Sequence, residues 1–190
     1  LIDAPDHILA VGYDNPAHPI LVMKFGGTSV GTPEAMKLVV EIVHQERERW
    51  PHLVVITSAL AGVTDLLLVS AAKAAEGDTQ AAFHNANRLY QLHHNMIYSL
   101  LSDSTRQTGV QEEIDLLIAE FSSLCQAIGV LGEASQRAMD TVAALGERMS
   151  VRLLAAALEE AGMPARAIEA TQLIETDQRF QNAHPNLKAT

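Results

Sequence analysis

The chain has a single cysteine, Cys125, among 190 residues. An internal disulfide is therefore excluded, and a reducing compartment, the cytoplasm by default, is expected. Basic residues are scarce: 13 Lys and Arg stand against 23 Asp and Glu, a formal charge of −10. That field repels phosphate backbones and anionic lipid, so neither nucleic acid nor a membrane is expected as a partner, and an anionic ligand would need a local positive site. Long apolar runs are also missing. No uncharged stretch reaches the ~18 to 20 residues of a membrane span, and Leu1–Pro19, with three Asp and no Lys or Arg, lacks the basic start of a signal peptide. What is present is an ordinary globular mix, 48% hydrophobic and 19% charged. It is long enough for one or two domains with a core that needs no covalent staples.

Leu1–Pro19 carries Pro5, Gly12, Pro16 and Pro19 among polar residues and is expected to be an irregular lead-in. Ile20–Phe25 is a short apolar run closing on Gly26 and Gly27, which predicts a fully buried strand feeding a tight loop. Thr32, Pro33 and Glu34 then supply an N-cap, a first-turn proline and an early acid. Met36, Val39, Val40 and Val43 follow on one helical stripe that must end before Pro51. Leu53–Thr57 is a second β-branched run, so the unit reads strand, helix, strand, with parallel strands and a right-handed crossover. The loops at 26–31 and 58–62 accordingly open on one edge of the sheet, the edge where open α/β sheets bind ligands.

Beyond this unit the period changes. Leu89, Leu92, Met96 and Leu100 form one helical stripe, and Ile114, Leu117, Ile118, Phe121, Cys125 and Ile128 form another. These predict an antiparallel helical pair joined by an irregular connector, Ser102–Gly109. A further helix is expected over about Asp140 to Ala161, closed by Gly162 in the left-handed C-terminal position and stopped by Pro164. Ala165–Ala170 is a candidate third strand, and a crossover helix before it would bring Gly146 and Glu147 to the ligand edge.

The densest chemical signal is Lys24-Phe25-Gly26-Gly27-Thr28-Ser29-Val30-Gly31. Two glycines let the backbone approach an anion, Thr28 and Ser29 offer hydroxyls, and Lys24 brings charge, which together outline a phosphate cradle. It matches neither common nucleotide fingerprint, and a tight strand-to-helix turn with a snorkelling lysine would look the same. Ser58-Ala59-Leu60-Ala61-Gly62-Val63-Thr64-Asp65 pairs small residues with two hydroxyls, suited to a small polar substrate or simply to a helix start. His84, His93 and His94 lack the i, i+4 spacing of paired metal ligands, and no dedicated metal cluster is expected. Cys125 lies on an apolar stripe and reads as a buried structural thiol, while Glu112, Glu113 and Asp115 read as a solvated helix start.

The string Lys24–Ser29 resembles the N-terminal signature of the aspartokinases, within the amino acid kinase fold. Three further segments agree in order: Thr57–Asp65, Leu145-Gly146-Glu147-Arg148-Met149-Ser150, and Thr176-Asp177-Gln178-Arg179-Phe180. The helical insertion, about residues 80–138, is similar to that of the lysine-sensitive or bifunctional type.

The resemblance covers about Ile20 to Pro185. It implies a three-layer αβα fold with a mainly parallel sheet, an inserted helical hairpin, and a C-terminal side that is incomplete. The implied activity is ATP-dependent phosphorylation of the β-carboxylate of L-aspartate, the first step toward lysine, threonine and methionine, in the cytoplasm. By the same analogy Lys24 is catalytic; Lys24, Gly26, Gly27, Thr28 and Ser29 line the ATP phosphates; and Ser58, Ala59, Thr64 and Glu147 hold aspartate. Mg2+ would arrive with ATP, held mainly by phosphate oxygens.

The family's later glycine-rich segment, its adenosine-binding half and its regulatory domains are not in this sequence, so the chain is expected to be inactive alone; a homo-oligomer is left open. The rivals are another kinase of this fold, acting on acetylglutamate, carbamate or a nucleotide, and a non-catalytic helical interaction module.

Overall fold

A computed structural model describes residues 19–190; the lead-in expected at 1–18 lies outside the described residues. Strand β1 (Ile20–Phe25) is followed by a one-turn helix α1 (Gly27–Val30), helix α2 (Pro33–Arg47) and strand β2 (His52–Thr57). Helices α3 (Val63–Ala75), α4 (Thr79–Leu100), α5 (Ser104–Leu131) and α6 (Gln136–Glu160) complete the described helices, before a 3-10 turn at Ala170–Gln172. The strands pair in parallel, from Ile20 with His52 to Phe25 with Thr57, as the strand, helix, strand reading requires. Helix α2 starts where its sequence says it should: the Thr32 hydroxyl accepts the Ala35 amide at 3.2 Å, with Pro33 at the first helical position.

The sheet departs from expectation in two ways. Its apolar runs predict strands buried on both faces, yet only one face is covered. Leu21 and Met23 are buried, whereas Val54 is 47% and Ile56 48% exposed. The uncovered face carries Ile20, Val22 and Lys24 of β1 on alternate residues.

The candidate third strand at 165–170 forms no ladder either. Residues 164–169 alternate exposed and half-buried in the strand period, and they run past His52, Leu53 and Val55 without pairing. Glu169 instead reaches across to α6, with Oε1 taking Arg152 Nη2 at 2.7 Å and Oε2 lying 3.1 Å from Arg148 Nε. Burial opposes its charge, but the bonds and charge of Arg152 and Arg148 outweigh that and hold its pKa below the ordinary value.

Helices α3 to α6 pack together into the larger core. Phe121, Leu67, Leu89, Ile114, Leu145 and Met149 are almost wholly buried there. Helix α5 starts at Ser104, inside the connector expected to run to Gly109, because Asp103 caps it by accepting the Arg106 amide at 2.8 Å. Glu112, Glu113 and Asp115 therefore lie inside the helix rather than at its start. Helix α5 is long and apolar enough to cross a membrane by length and composition, but its stripe from Val110 to Ile128 faces the bundle core.

Helix α6 ends as expected, with Gly162 at φ +80° and the Met163 amide reaching Leu158 O at 3.0 Å. Its last turn is tied to the α4–α5 turn, where Glu160 accepts from the Ser102 hydroxyl and amide and from Arg106. The two Ser102 bonds, helped by Arg106, hold the Glu160 carboxyl down at about 2.

Candidate active site

The two strands end side by side, and the Ser58 amide continues their ladder by donating to Phe25 O at 3.1 Å. Both following loops therefore leave from one edge, as the parallel crossover requires. They then approach as closely as backbone allows. A Cβ built on Gly27 would stand 2.8 Å from Ala59 O, and one on Gly31 would stand 2.8 Å from Ala61 Cβ. Such distances admit no side chain, so glycine is required at both positions for packing reasons.

Helix α6 enters the same junction. A Cβ on Gly146 would lie 2.7 Å from Ala59 Cβ. Next to it, Glu147 Oε1 accepts the Ala59 amide at 3.2 Å. One turn later the buried Ser150 hydroxyl meets the Thr57 hydroxyl at 3.2 Å, fixing the helix to the end of β2. The first loop, the second loop and α6 thus meet at Ala59.

Of the residues singled out from sequence, Gly27, Ala59, Gly146 and Glu147 are brought into this junction directly. Gly26 lies at its open side: a Cβ there would meet nothing within 4 Å. Lys24 is exposed on the uncovered sheet face and has no carboxylate partner among the described residues. Thr28 and Ser29 are exposed on α1, Thr64 is half-buried on the first turn of α3, and Ser58 is half-buried at the strand end. None of these four side chains makes a hydrogen bond to another described residue. The fourth motif docks elsewhere: Gln181 N donates to Asp140 Oδ2 at 2.7 Å, and Arg137 lies over the Phe180 ring at 5.7 Å, both on the first turns of α6.

Sequence reasoning missed Gly31, Ala61 and Ser150 as parts of the junction. Their common signal was size, since small residues recur in each segment where backbones must touch. It also missed Arg148, which donates to both oxygens of Glu120 at 2.9 Å and so fixes the α6 turn that carries Glu147. Neither Cys125 nor His93 enters the site. The Cys125 thiol is pushed up to about 11 by burial, and His93 is buried between helices.

Residues 19–189 match the model of the amino acid kinase family, and the chain belongs to that family. The similar proteins within it are aspartokinases. The chain is 30% identical to the aspartokinase of Schizosaccharomyces pombe, covering 89% of this chain and 33% of that protein. It is 28% identical to the lysine-sensitive aspartokinase 3 of Escherichia coli over 90% of this chain and 35% of that one. Among solved structures, Escherichia coli aspartokinase III in complex with aspartate and ADP superposes with a TM-score of 0.77 at 28% identity, over 90% of this chain and 35% of the other. The chain spans about a third of the length of the curated relatives it matches.

Proposed function

We propose that this chain is the aspartate-holding portion of an aspartate kinase, an enzyme that transfers a phosphoryl group from ATP to the β-carboxylate of L-aspartate to give 4-phospho-L-aspartate. Under this reading residues 20–190 belong to the kinase domain, with residues 80–138 inserted as a helical hairpin, and the reaction serves lysine, threonine and methionine synthesis in the cytoplasm. The observation that carries it is the junction at Ala59, where the first loop, the second loop and Glu147 of α6 converge at the ligand edge of the sheet.

The chemistry asks little of the chain beyond position and charge. A carboxylate is already ionised near neutral pH, so the acceptor needs no general base. Lys24, exposed and without a carboxylate partner among the described residues, neutralises phosphate charge as the phosphoryl group moves. Gly26 leaves open the space that a side chain would fill, and Gly27, Thr28 and Ser29 continue the wall of that cradle, a donor set that fits a polyphosphate. Mg2+ comes with ATP on the phosphate oxygens. Glu147 spends Oε1 on the Ala59 amide, and its second oxygen is available to the substrate α-ammonium, with Thr64 and Ser58 offering hydroxyls nearby.

Calorimetric titration with L-aspartate tests this. Saturable binding is expected for the native chain, with a loss of at least tenfold in Glu147→Ala and no comparable binding of L-glutamate. Binding of L-glutamate in preference to L-aspartate, or L-aspartate binding unaffected by Glu147→Ala, would count against it.

A further inference from the structure

Helix α4 presents two unlike faces. Leu89, His93, Met96 and Ile97 are buried in the bundle, while His84, Asn87, Arg88, Gln91 and Asn95 recur at i, i+3, i+4, i+7 and i+11 on the other side. All five are exposed. Together with Leu92 and Met96 they line a shallow, open cleft of about 600 Å³, bounded on its other side by the turn Gly31–Pro33 between α1 and α2. None of the five side chains makes a hydrogen bond or ion pair to another described residue.

The electrostatics of this cleft run against the chain. The whole sequence carries a charge of −10, yet no Asp or Glu lines the cleft. Arg88 is the single formally charged residue of the 22-residue helix α4. A guanidinium with no carboxylate to satisfy it, flanked by three carboxamides and an imidazole, offers a fork of donors and a ring of adaptable hydrogen-bond partners. The facing wall adds none of its own charge, and the Thr32 hydroxyl is already used in capping α2.

We propose that this cleft is a binding site for a small oxyanion ligand, a carboxylate or phosphate held by Arg88 with Asn87, Gln91 and Asn95 contacting its polar body, distinct from the junction at Ala59. The arrangement suits a metabolite of modest size, since Arg recognises planar or tetrahedral oxyanions through paired donors and the carboxamides supply both donors and acceptors. The proposal stands independently of the aspartate reading.

Amide NMR titration of the chain with inorganic phosphate and, separately, with succinate, at ionic strength held constant with NaCl, decides it. Saturable shifts are expected at residues 31–32 and 84–95. They should persist in Lys24→Met, and their midpoint should rise at least tenfold in Arg88→Gln, with partial recovery in Arg88→Lys. Arg88→Gln should keep the native spectrum and melting temperature, because Arg88 supports no other residue. Saturation by phosphate alone assigns a phosphate ligand, saturation by succinate alone a carboxylate, and saturation by both an oxyanion without further selection. Shifts that stay linear with both probes, that are unchanged in Arg88→Gln, or that vanish in Lys24→Met would overturn it.

Discussion

The sheet unit and the helical bundle of this chain are stabilised differently. The unit of β1, α1, α2 and β2 buries one sheet face and leaves Val22, Val54 and Ile56 in the open, whereas α3 to α6 enclose Phe121, Ile114 and Met149 on all sides. The candidate phosphate residues sit on the less covered unit, and Glu147 comes from the better packed one. Under the proposed reading, the surface that admits the ligand is built on a thin layer, and the bundle braces it through α6. At the ligand edge that bracing is made by Gly146, Glu147 and Ser150.

The largest test of this contrast is truncation on each side of it. Phe121→Ala should cost about 3–5 kcal/mol, the range for emptying an aromatic core site. Ile56→Thr on the open sheet face should cost no more than about 0.5 kcal/mol, the range of a surface change. Urea unfolding of both variants measures the difference, and equal losses would mean that the two units are not packed differently.

Acid should act on the bundle first. His93 donates its Nδ1–H to Leu89 O at 2.7 Å, while its Nε2 is buried without a partner among the described residues. Burial is the main reason its pKa falls to about 4, with the neighbouring His94 adding to the fall and the Leu89 bond opposing it. The unfolded chain takes up this proton below about pH 6.5, and the folded chain refuses it until about pH 4. The stability at stake is therefore complete above pH 6.5, is lost as pH falls through that window, and amounts to roughly 3 kcal/mol at most. Unfolding midpoints measured from pH 7 to pH 4 should show this slope in the native chain and a flatter one in His93→Leu; identical slopes would remove His93 from the account.

A smaller loss than in the bundle core is expected at the joint between the two units. Gly146→Val must push its Cβ away from Ala59, an overpacking that costs about 1–3 kcal/mol. The revealing readout is local: hydrogen exchange at the Ala59 amide should accelerate, since the bond to Glu147 loosens, while the α4–α5 contacts keep their protection. Acceleration spread evenly over the chain would show that the joint is not a separate element.

Much of this was legible in the sequence, and for identifiable reasons. Helix α2 follows from Thr32, Pro33 and a stripe of valines, and α6 ends at Gly162, because caps and turns are decided by neighbours in the chain. The open sheet face was not legible. An apolar strand reads alike whether one face or two are covered, and what lies over it depends on distant chain. Ala165–Ala170 has a strand's alternation without a ladder, since pairing requires a partner at hydrogen-bonding distance and not only a period. At the site, the glycine loop and Glu147 were visible as motifs. Their arrival at one sheet edge was expected too, but the meeting point at Ala59 was not legible, because it depends on how α6 packs across the end of β2.

The junction at Ala59 also bears on how this chain can change over evolutionary time. Gly27 meets its carbonyl, Gly146 its methyl, and Glu147 its amide, so two segments far apart in sequence, the first loop and α6, share one small residue of the second loop. A larger side chain at 59 would meet Gly146 at once, and a methyl at 27 or 146 would press on the same atoms. Substitutions here are therefore tied to one another: the sizes at 27, 59 and 146 can drift only in concert, and single changes that are harmless elsewhere on the sheet should be strongly epistatic at these three positions.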